Sequence, residues 1–204
     1  MKHRLTGLMA ACALTMAAML ATPALAALGQ GAKAPDFTAE ASLAGKDFSF
    51  SLQDALKKGP VVVYFYPAAY TGGCDIEAHT FATQKSGFDK AGATIIGVSA
   101  DSLKRLNDFS SDPNYCAGKF PVASDADGRI AASYGLKLHP AEPGMTDVRG
   151  QVIGHGFIPR TTFVIGRDGR IVATLSSEAD HLHPEDHVKQ SLAIVQRLQK
   201  GHAP

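Results

Sequence analysis

The sequence predicts a single α/β domain built as a three-layer α/β/α sandwich, on the basis of three observations. Two apolar, β-branched runs, 61–66 and 94–99, are typical of buried strands. Each is followed by a segment whose apolar residues recur three and four positions apart, which predicts helices. A final pair of strands joined by a Gly-Arg-Asp-Gly turn and a last amphipathic segment close the chain. This order, βα-βα-β with a closing antiparallel hairpin and helix, is typical of helices covering both faces of one sheet.

The first 26 residues predict a signal peptide that is removed from the mature protein. A basic start at residues 2–4 precedes an apolar core over 8–20, and Ala-Leu-Ala at 24–26 supplies the small residues of a cleavage site. The apolar core is shorter than a membrane span requires. A retained amphipathic anchor is the alternative. We expect an exported protein of the bacterial periplasm, without a membrane association after cleavage.

Composition limits what the remaining domain, 27–204, can do. The signal peptide contains two of the 20 Lys and Arg residues and none of the 19 Asp and Glu residues, so the domain has a formal charge of −1. That balance does not favour nucleic acid or an anionic membrane as a partner. Cys12 lies in the signal peptide, which leaves Cys74 and Cys116. A domain of this size does not need a disulfide framework, so the two thiols indicate redox chemistry.

The elements of the N-terminal part follow from local signals. Three phenylalanines around a Gly-Lys turn predict a hairpin, and a serine at 49 or 51 can cap the next helix. Proline cannot donate to a ladder, so the strand that contains Pro121 is predicted to be an edge strand. The predicted elements are a hairpin over 37–50, a helix over 52–57, a strand over 61–66, a helix from Cys74 to about 90, a strand over 94–99, a helix over 101–111, an edge strand over 120–124 and a helix over 130–134.

The C-terminal part begins with a stretch, 136–159, in which glycine and proline recur. It predicts an extended loop that shapes access to the site. Strands follow over 161–166 and 170–175. The last helix, over 184–199, has a proline in its first turn and one apolar face.

Cys74 is the central candidate because it stands where a strand has ended and a helix begins. Gly72 and Gly73 precede it and allow a tight or left-handed turn. The first N–H groups of a helix and its dipole favour a negative charge there, so we expect a lowered thiol pKa. A buried structural cysteine is the alternative.

The spacing Pro67-x-x-x-Thr71-x-x-Cys74 resembles the peroxidatic signature of the peroxiredoxins, thiol peroxidases with a thioredoxin-like fold. Glu77 also fits that pattern. The Arg160-Thr-Thr-Phe run resembles the strand that brings the family's arginine to the thiolate. Together with the Arg-Asp-Gly turn after it, this run is most similar to the Q type, also called the bacterioferritin-comigratory-protein type. The resemblance covers roughly residues 29 to 199 and begins with an Ala-Pro-Asp-Phe sequence.

This resemblance implies a thioredoxin-like sandwich with the peroxiredoxin N-terminal hairpin extension, and a set of roles. Cys74 is the peroxidatic residue that attacks a hydroperoxide and becomes a sulfenic acid. Thr71 supplies a hydroxyl to the thiolate and the peroxide, and Arg160 holds the thiolate and donates to the peroxide oxygens. The backbone N–H groups near Gly73 and Cys74 complete the pocket, and Pro67 shields the sulfur from water.

Each supporting role has a structural alternative. Thr71 could serve only as a helix N-cap. Arg160 could form a surface ion pair, and Glu77 could favour the helix dipole without a part in the reaction.

The second step of the reaction is where the chain departs from the Q-type pattern. Many members place the resolving cysteine five residues after the peroxidatic one, and this chain has His79 there. The resemblance leaves Cys116 as the resolving residue, which requires local unwinding of the Cys74 helix because of disulfide geometry. A one-cysteine mechanism, in which an external thiol attacks the sulfenic acid, is the alternative. In both cases the implied reductant is a thioredoxin-like dithiol protein, and the Q type favours a monomer.

Other functions are less favoured by the residues. Thioredoxin-like reductases and copper chaperones carry a second cysteine where this chain has Glu77 or Ala78. A non-catalytic thioredoxin-fold module would leave Cys74 with ordinary reactivity. His181, His183 and His187 have a spacing compatible with a metal site, but a solvated helix start explains them as well. We expect neither a metal nor a cofactor.

Overall fold

The structure is a computed structural model, and it describes residues 26–201. The predicted signal peptide, with Cys12, therefore lies outside the described residues except for Ala26. Between residues 26 and 201, no helix has the length and apolar character needed to cross a membrane.

One mixed sheet of seven strands runs through the domain in the order β2-β1-β5-β4-β3-β6-β7. The strands β3, β4 and β5 are parallel to one another, and β6 is antiparallel to β3. Their bounds are β1 Thr38–Leu43, β2 Lys46–Ser51, β3 Val61–Phe65, β4 Thr94–Ser99, β5 Val122–Ser124, β6 Thr161–Ile165 and β7 Ile171–Ser176.

Helices lie on both faces of this sheet and enclose two hydrophobic cores. The core that contains Cys74 lies under the long helix after β3 and the last helix, which pack against each other. The other core lies under the helix that follows β2. The helices are α1 Leu52–Lys58, α2 Gly72–Lys90, α3 Leu103–Ser111, α4 Arg129–Ser133, α5 Ser177–Asp180 and α6 Pro184–Gln199. The three-layer sandwich and its N-terminal hairpin are therefore confirmed.

One local prediction is wrong, and one short element is missing from the predicted set. The strand after Pro121 is not an edge strand, because β1 pairs with it on one side and β4 on the other. Pro121 lies before the strand, so its missing N–H does not interrupt the ladder. The short helix α5 was not predicted. The serine at its N-cap, Ser176, accepts a hydrogen bond from the Ala179 N–H.

The long loop, residues 136–159, contains no strand, as predicted. Two isolated antiparallel bridges, His139 with Phe157 and Thr146 with Val152, fold it back on itself. The loop ends at β6, which begins on the side of the sheet where β3 and β4 end. Because Phe65 at the end of β3 pairs with Thr161 at the start of β6, the residue before Thr161 lies beside the turn into α2.

Candidate active site

Cys74 is the third residue of α2 and lies in its first turn, as the strand-to-helix pattern predicts. Its side chain is 1% exposed, and no disulfide joins it to Cys116. The segment from Pro67 to Thr71 links β3 to this helix, and Pro67 itself is only half-buried.

The turn before α2 is not made by the two glycines. Neither Gly72 nor Gly73 has a positive φ, whereas Tyr70 takes the left-handed conformation with φ 60°. Gly73 has a different reason to lack a side chain. A Cβ at this position would lie 3.0 Å from Arg160 Nη2, so the absence of that atom leaves room for the guanidinium.

Arg160 approaches Cys74 although 86 residues separate the two in sequence. Its Nη2 donates to Cys74 Sγ at 3.3 Å, and its Nη1 forms an ion pair with Glu77, one turn further along α2. The Arg160 side chain is 11% exposed and that of Glu77 is fully buried. The surface ion pair that the sequence left open for Arg160 is therefore excluded, and Glu77 holds the guanidinium in place.

Thr71 occupies the N-cap position of α2, but its side chain does not cap the helix. The Thr71 hydroxyl donates instead to the Ala68 carbonyl at 2.7 Å. A role as a side-chain N-cap alone is thus wrong. Thr71 is also one of the influences that lower the pKa of the Cys74 thiol.

The electrostatic surroundings of Cys74 differ from the expectation based on the helix start. Burial raises the pKa of the Cys74 thiol above its usual range, and it outweighs Arg160, which lowers that pKa most strongly, and Thr71. Burial also raises the pKa of Glu77, against the influence of Arg160. The predicted lowering of the thiol pKa is therefore wrong for this structure, because the sequence pattern does not report how completely the sulfur is removed from water.

Of the two backbone donors predicted for the pocket, that of Cys74 is already engaged, since its N–H donates to the Thr71 carbonyl at 2.8 Å. The Gly73 N–H has no backbone acceptor among residues 26–201. Of these two donors, only the Gly73 N–H is therefore without a backbone partner.

Cys116 lies in the turn after α3 and is fully buried in the same hydrophobic core as Cys74. Burial raises the pKa of the Cys116 thiol well above its usual range. This turn is attached to α2 by two contacts: His79 Nδ1 lies 3.0 Å from the Asn114 carbonyl, and Lys119 donates to the Ala82 carbonyl at 3.1 Å. The residue at the position of the usual second cysteine therefore contacts the turn that carries Cys116.

The three C-terminal histidines do not form a metal site in the part of the chain that the structure describes, where no cluster of potential ligands occurs. His183 is the N-cap of α6 and forms a capping box with Asp186. His187 is fully buried, with Nδ1 3.0 Å from the Thr162 hydroxyl and Nε2 3.0 Å from the Ser177 hydroxyl. Burial lowers the pKa of His187 to about 4, so the imidazole is neutral.

Sequence reasoning missed a group of ionisable residues around the turn before α2. It consists of the buried Asp101 and Asp147 and the partly buried Arg105 and His155. One signal could have identified Asp101. It lies two residues after the end of β4, and the carboxyl ends of parallel strands such as β3 and β4 meet at one edge of a sheet.

Comparison with known proteins gives consistent matches. The AhpC/TSA family model matches residues 30–174. A putative peroxiredoxin of Mycobacterium tuberculosis is 32% identical over 146 residues, which are 72% of this chain and 84% of that protein. The crystal structure of peroxidoxin BcpB from the same organism superposes with a TM-score of 0.68 at 27% identity, and covers 84% of this chain and 98% of that one. The Xanthomonas campestris bacterioferritin comigratory protein, studied for alkyl peroxide reduction, has a TM-score of 0.62 at 26% identity, with 80% and 92% covered.

Proposed function

The chain belongs to the AhpC/TSA family, as a thiol-dependent peroxidase of the peroxiredoxin Q or bacterioferritin-comigratory-protein type, and on that premise we propose that Cys74 is its peroxidatic residue. The observation that supports this assignment is the buried contact between Arg160 Nη2 and Cys74 Sγ. A structural cysteine in an apolar core has no need of a buried guanidinium beside its sulfur, whereas a nucleophilic thiolate does.

In the first step the Cys74 thiolate attacks the distal oxygen of a hydroperoxide. The O–O bond breaks, the sulfur becomes a sulfenic acid, and the leaving oxygen takes a proton and departs as water or an alcohol. Arg160 stabilises the thiolate and the charge that moves to the leaving oxygen, and the Thr71 hydroxyl and the Gly73 N–H direct the peroxide. The ion pair with Glu77 keeps the Arg160 guanidinium in place beside the thiolate and the leaving oxygen.

The substrates we propose are hydrogen peroxide and organic hydroperoxides. The Xanthomonas campestris relative, whose structures concern alkyl peroxide reduction, supports the second class. Pro67 shields the sulfur side of the pocket from water. The reaction needs no metal or cofactor, because the sulfur itself carries the two electrons.

In the second step, Cys116 attacks the Cys74 sulfenic acid, which releases water and forms a disulfide. Both thiols belong to one hydrophobic core, which supports this pairing. A sulfur in the first turn of α2 must leave the helix to meet disulfide geometry, so the first turns of α2 unwind in this step. A thioredoxin-like dithiol protein then reduces the disulfide.

The alternative is a one-cysteine mechanism. It is favoured by the complete burial of Cys116 and by the two contacts that attach its turn to α2. An external thiol would then attack the sulfenic acid, and Cys116 would remain reduced through the cycle.

The test is to treat the reduced protein with one molar equivalent of hydrogen peroxide and to map the thiols by peptide mass spectrometry. A Cys74–Cys116 disulfide is the expected product, and Cys116→Ser should then depend on an added thiol for turnover. Sulfenic or sulfinic acid on Cys74 with a free Cys116 would establish the one-cysteine mechanism. An unmodified Cys74 would refute its peroxidatic role. Under either of the two mechanisms, Cys74→Ser should abolish peroxide consumption.

We further propose that the protein is exported to the periplasm after cleavage behind Ala26 and acts there as a monomer. N-terminal sequencing of the protein recovered from a periplasmic extract tests the first statement, and sedimentation analysis tests the second. An intact N-terminus starting at Met1, or a stable dimer, would contradict them.

A further inference from the structure

The segment between β3 and α2 is buried although it has no regular secondary structure. Ala68 and Ala69 are fully buried, and Tyr70 is 2% exposed with a left-handed backbone. Buried backbone N–H and C=O groups without a ladder need partners of another kind. The orientation of the Thr71 hydroxyl depends on this segment, because the hydroxyl donates to the Ala68 carbonyl.

Both polar backbone groups of Ala69 are bound by one ion pair. The Ala69 N–H donates to Asp101 Oδ2 at 2.7 Å, and the Ala69 carbonyl accepts from Arg105 Nη2 at 2.8 Å. Asp101 and Arg105 themselves approach to 2.8 Å, and the Ser99 hydroxyl donates to Asp101 Oδ2 at 2.7 Å. The Asp101 side chain is fully buried and that of Arg105 is 12% exposed. The two peptide groups on either side of the Ala69 Cα are thus both held.

The long loop completes this arrangement from the other side. Asp147 Oδ2 lies 2.8 Å from Arg105 Nη2, and His155 Nε2 lies 2.9 Å from Asp101 Oδ1. The Arg149 guanidinium lies 3.3 Å above the Tyr70 ring. Each member of the Asp101–Arg105 pair therefore has a second polar partner that orients it: Asp147 for Arg105 and His155 for Asp101.

We propose that Asp101 and Arg105 are positioning residues for the peroxidase reaction, which hold Ala69 and thereby the neighbouring Ala68 carbonyl that orients the Thr71 hydroxyl at the start of α2. Neither residue touches Cys74 or the site of the peroxide. A buried ion pair is a weak source of stability, since apolar residues of the same volume often replace it without loss. This pair instead supplies a donor and an acceptor at a place where the backbone has no ladder. The inference rests on the proposed function of Cys74 and extends it to residues that do not react.

The test is a double-mutant cycle between Arg105→Lys and Thr71→Val. Lysine retains the charge near Asp101 and Asp147 but lacks the fork that also reaches the Ala69 carbonyl. Valine matches threonine in shape and lacks the hydroxyl. Two quantities are measured: the rate constant for Cys74 with hydrogen peroxide, and the pH profile of Cys74 alkylation by iodoacetamide in a Cys116→Ser background. Arg129→Lys, in an exposed ion pair, is the matched control.

If the pair acts through Thr71, Arg105→Lys alone lowers the peroxide rate constant about tenfold, the size expected for one hydrogen bond, and moves the alkylation profile to higher pH. In the Thr71→Val background the same substitution has little further effect. Equal losses in both backgrounds would overturn the inference, and so would an unchanged alkylation profile, because a purely structural role predicts either result.

Two safeguards separate the possible failures. If Arg105→Lys does not fold, Asp147→Asn takes its place. It removes one ion-pair partner of Arg105 without removing a contact to Ala69. The effect of Asp147→Asn must then also be smaller in the Thr71→Val background than in the wild type. The alkylation profile does not depend on turnover. A wild-type protein that fails to consume peroxide would therefore refute the proposed function, while the cycle in alkylation would still decide the role of the ion pair.

Discussion

Replacing Arg160 by lysine tests the active-site geometry most directly, because the change keeps the positive charge and removes the planar guanidinium with its two donors. Arg160 Nη2 donates to Cys74 Sγ at 3.3 Å while Nη1 contacts Glu77. The lysine ammonium is a compact charge on a flexible chain and cannot reproduce two donors in a fixed plane. Arg160→Lys therefore loses one of these two contacts.

The expected loss follows from the strength of the bond. A hydrogen bond with a charged partner contributes about 1.5–3 kcal/mol, and each 1.36 kcal/mol is a factor of ten in rate. Arg160→Lys should thus lower the rate constant with hydrogen peroxide about ten- to a hundredfold. The pKa of the Cys74 thiol should rise further, because Arg160 is the strongest influence that lowers it.

The chain contains no tryptophan, so the rate is best measured by competition with a heme peroxidase for limiting hydrogen peroxide. Iodoacetamide alkylation at several pH values reports the thiol pKa in parallel. Arg167→Lys, at an exposed position in the β6–β7 turn, is the matched control. A rate constant and alkylation profile identical to those of the wild type would refute the assignment of Arg160.

Three further outcomes are expected. Gly73→Ala should lower the peroxide rate constant with little change in thermal stability, because the new Cβ would lie 3.0 Å from Arg160 Nη2; a crystal structure with Arg160 unmoved would contradict this. Glu77→Gln should lower the pKa of the Cys74 thiol, because the carboxylate raises it. It should nevertheless slow peroxide reduction, because the Arg160 guanidinium loses its ion pair. Faster reduction would exclude a role of Glu77 in holding Arg160. Both ring nitrogens of His155 face acceptors, and its pKa is raised, mainly by the hydrogen bond to Asp101, against burial. The stabilisation by the protonated His155 is complete below the unfolded pKa of about 6.5 and is lost as pH rises through the higher folded value. Hydrogen exchange in the long loop, corrected for intrinsic rates, should therefore increase from pH 6 to pH 8.5. His155→Gln should remove that dependence.

The elements of the fold and the position of the nucleophile were predictable because they depend on local pattern. The β-branched run before Pro67 and the helical period after Cys74 place the cysteine within the first turn of a helix, whatever the rest of the chain does. The hairpin β1–β2, the strands β6 and β7 and the helix α6 follow from signals of the same kind. The strand after Pro121 was misjudged because pairing on its second side comes from β1, some 80 residues earlier in the chain.

Residue types and their spacing were thus enough to predict the sandwich, the reactive cysteine and its family resemblance to the thiol peroxidases. The pKa of Cys74, the ion pair of Arg160 with Glu77 and the binding of Ala69 by Asp101 and Arg105 were not accessible in this way. Burial and charge proximity depend on distances between segments that are far apart in the chain, and those distances arise only when the sheet and both helical layers assemble. The sequence therefore specifies which group reacts, while packing sets how strongly that group is charged and which partners orient it.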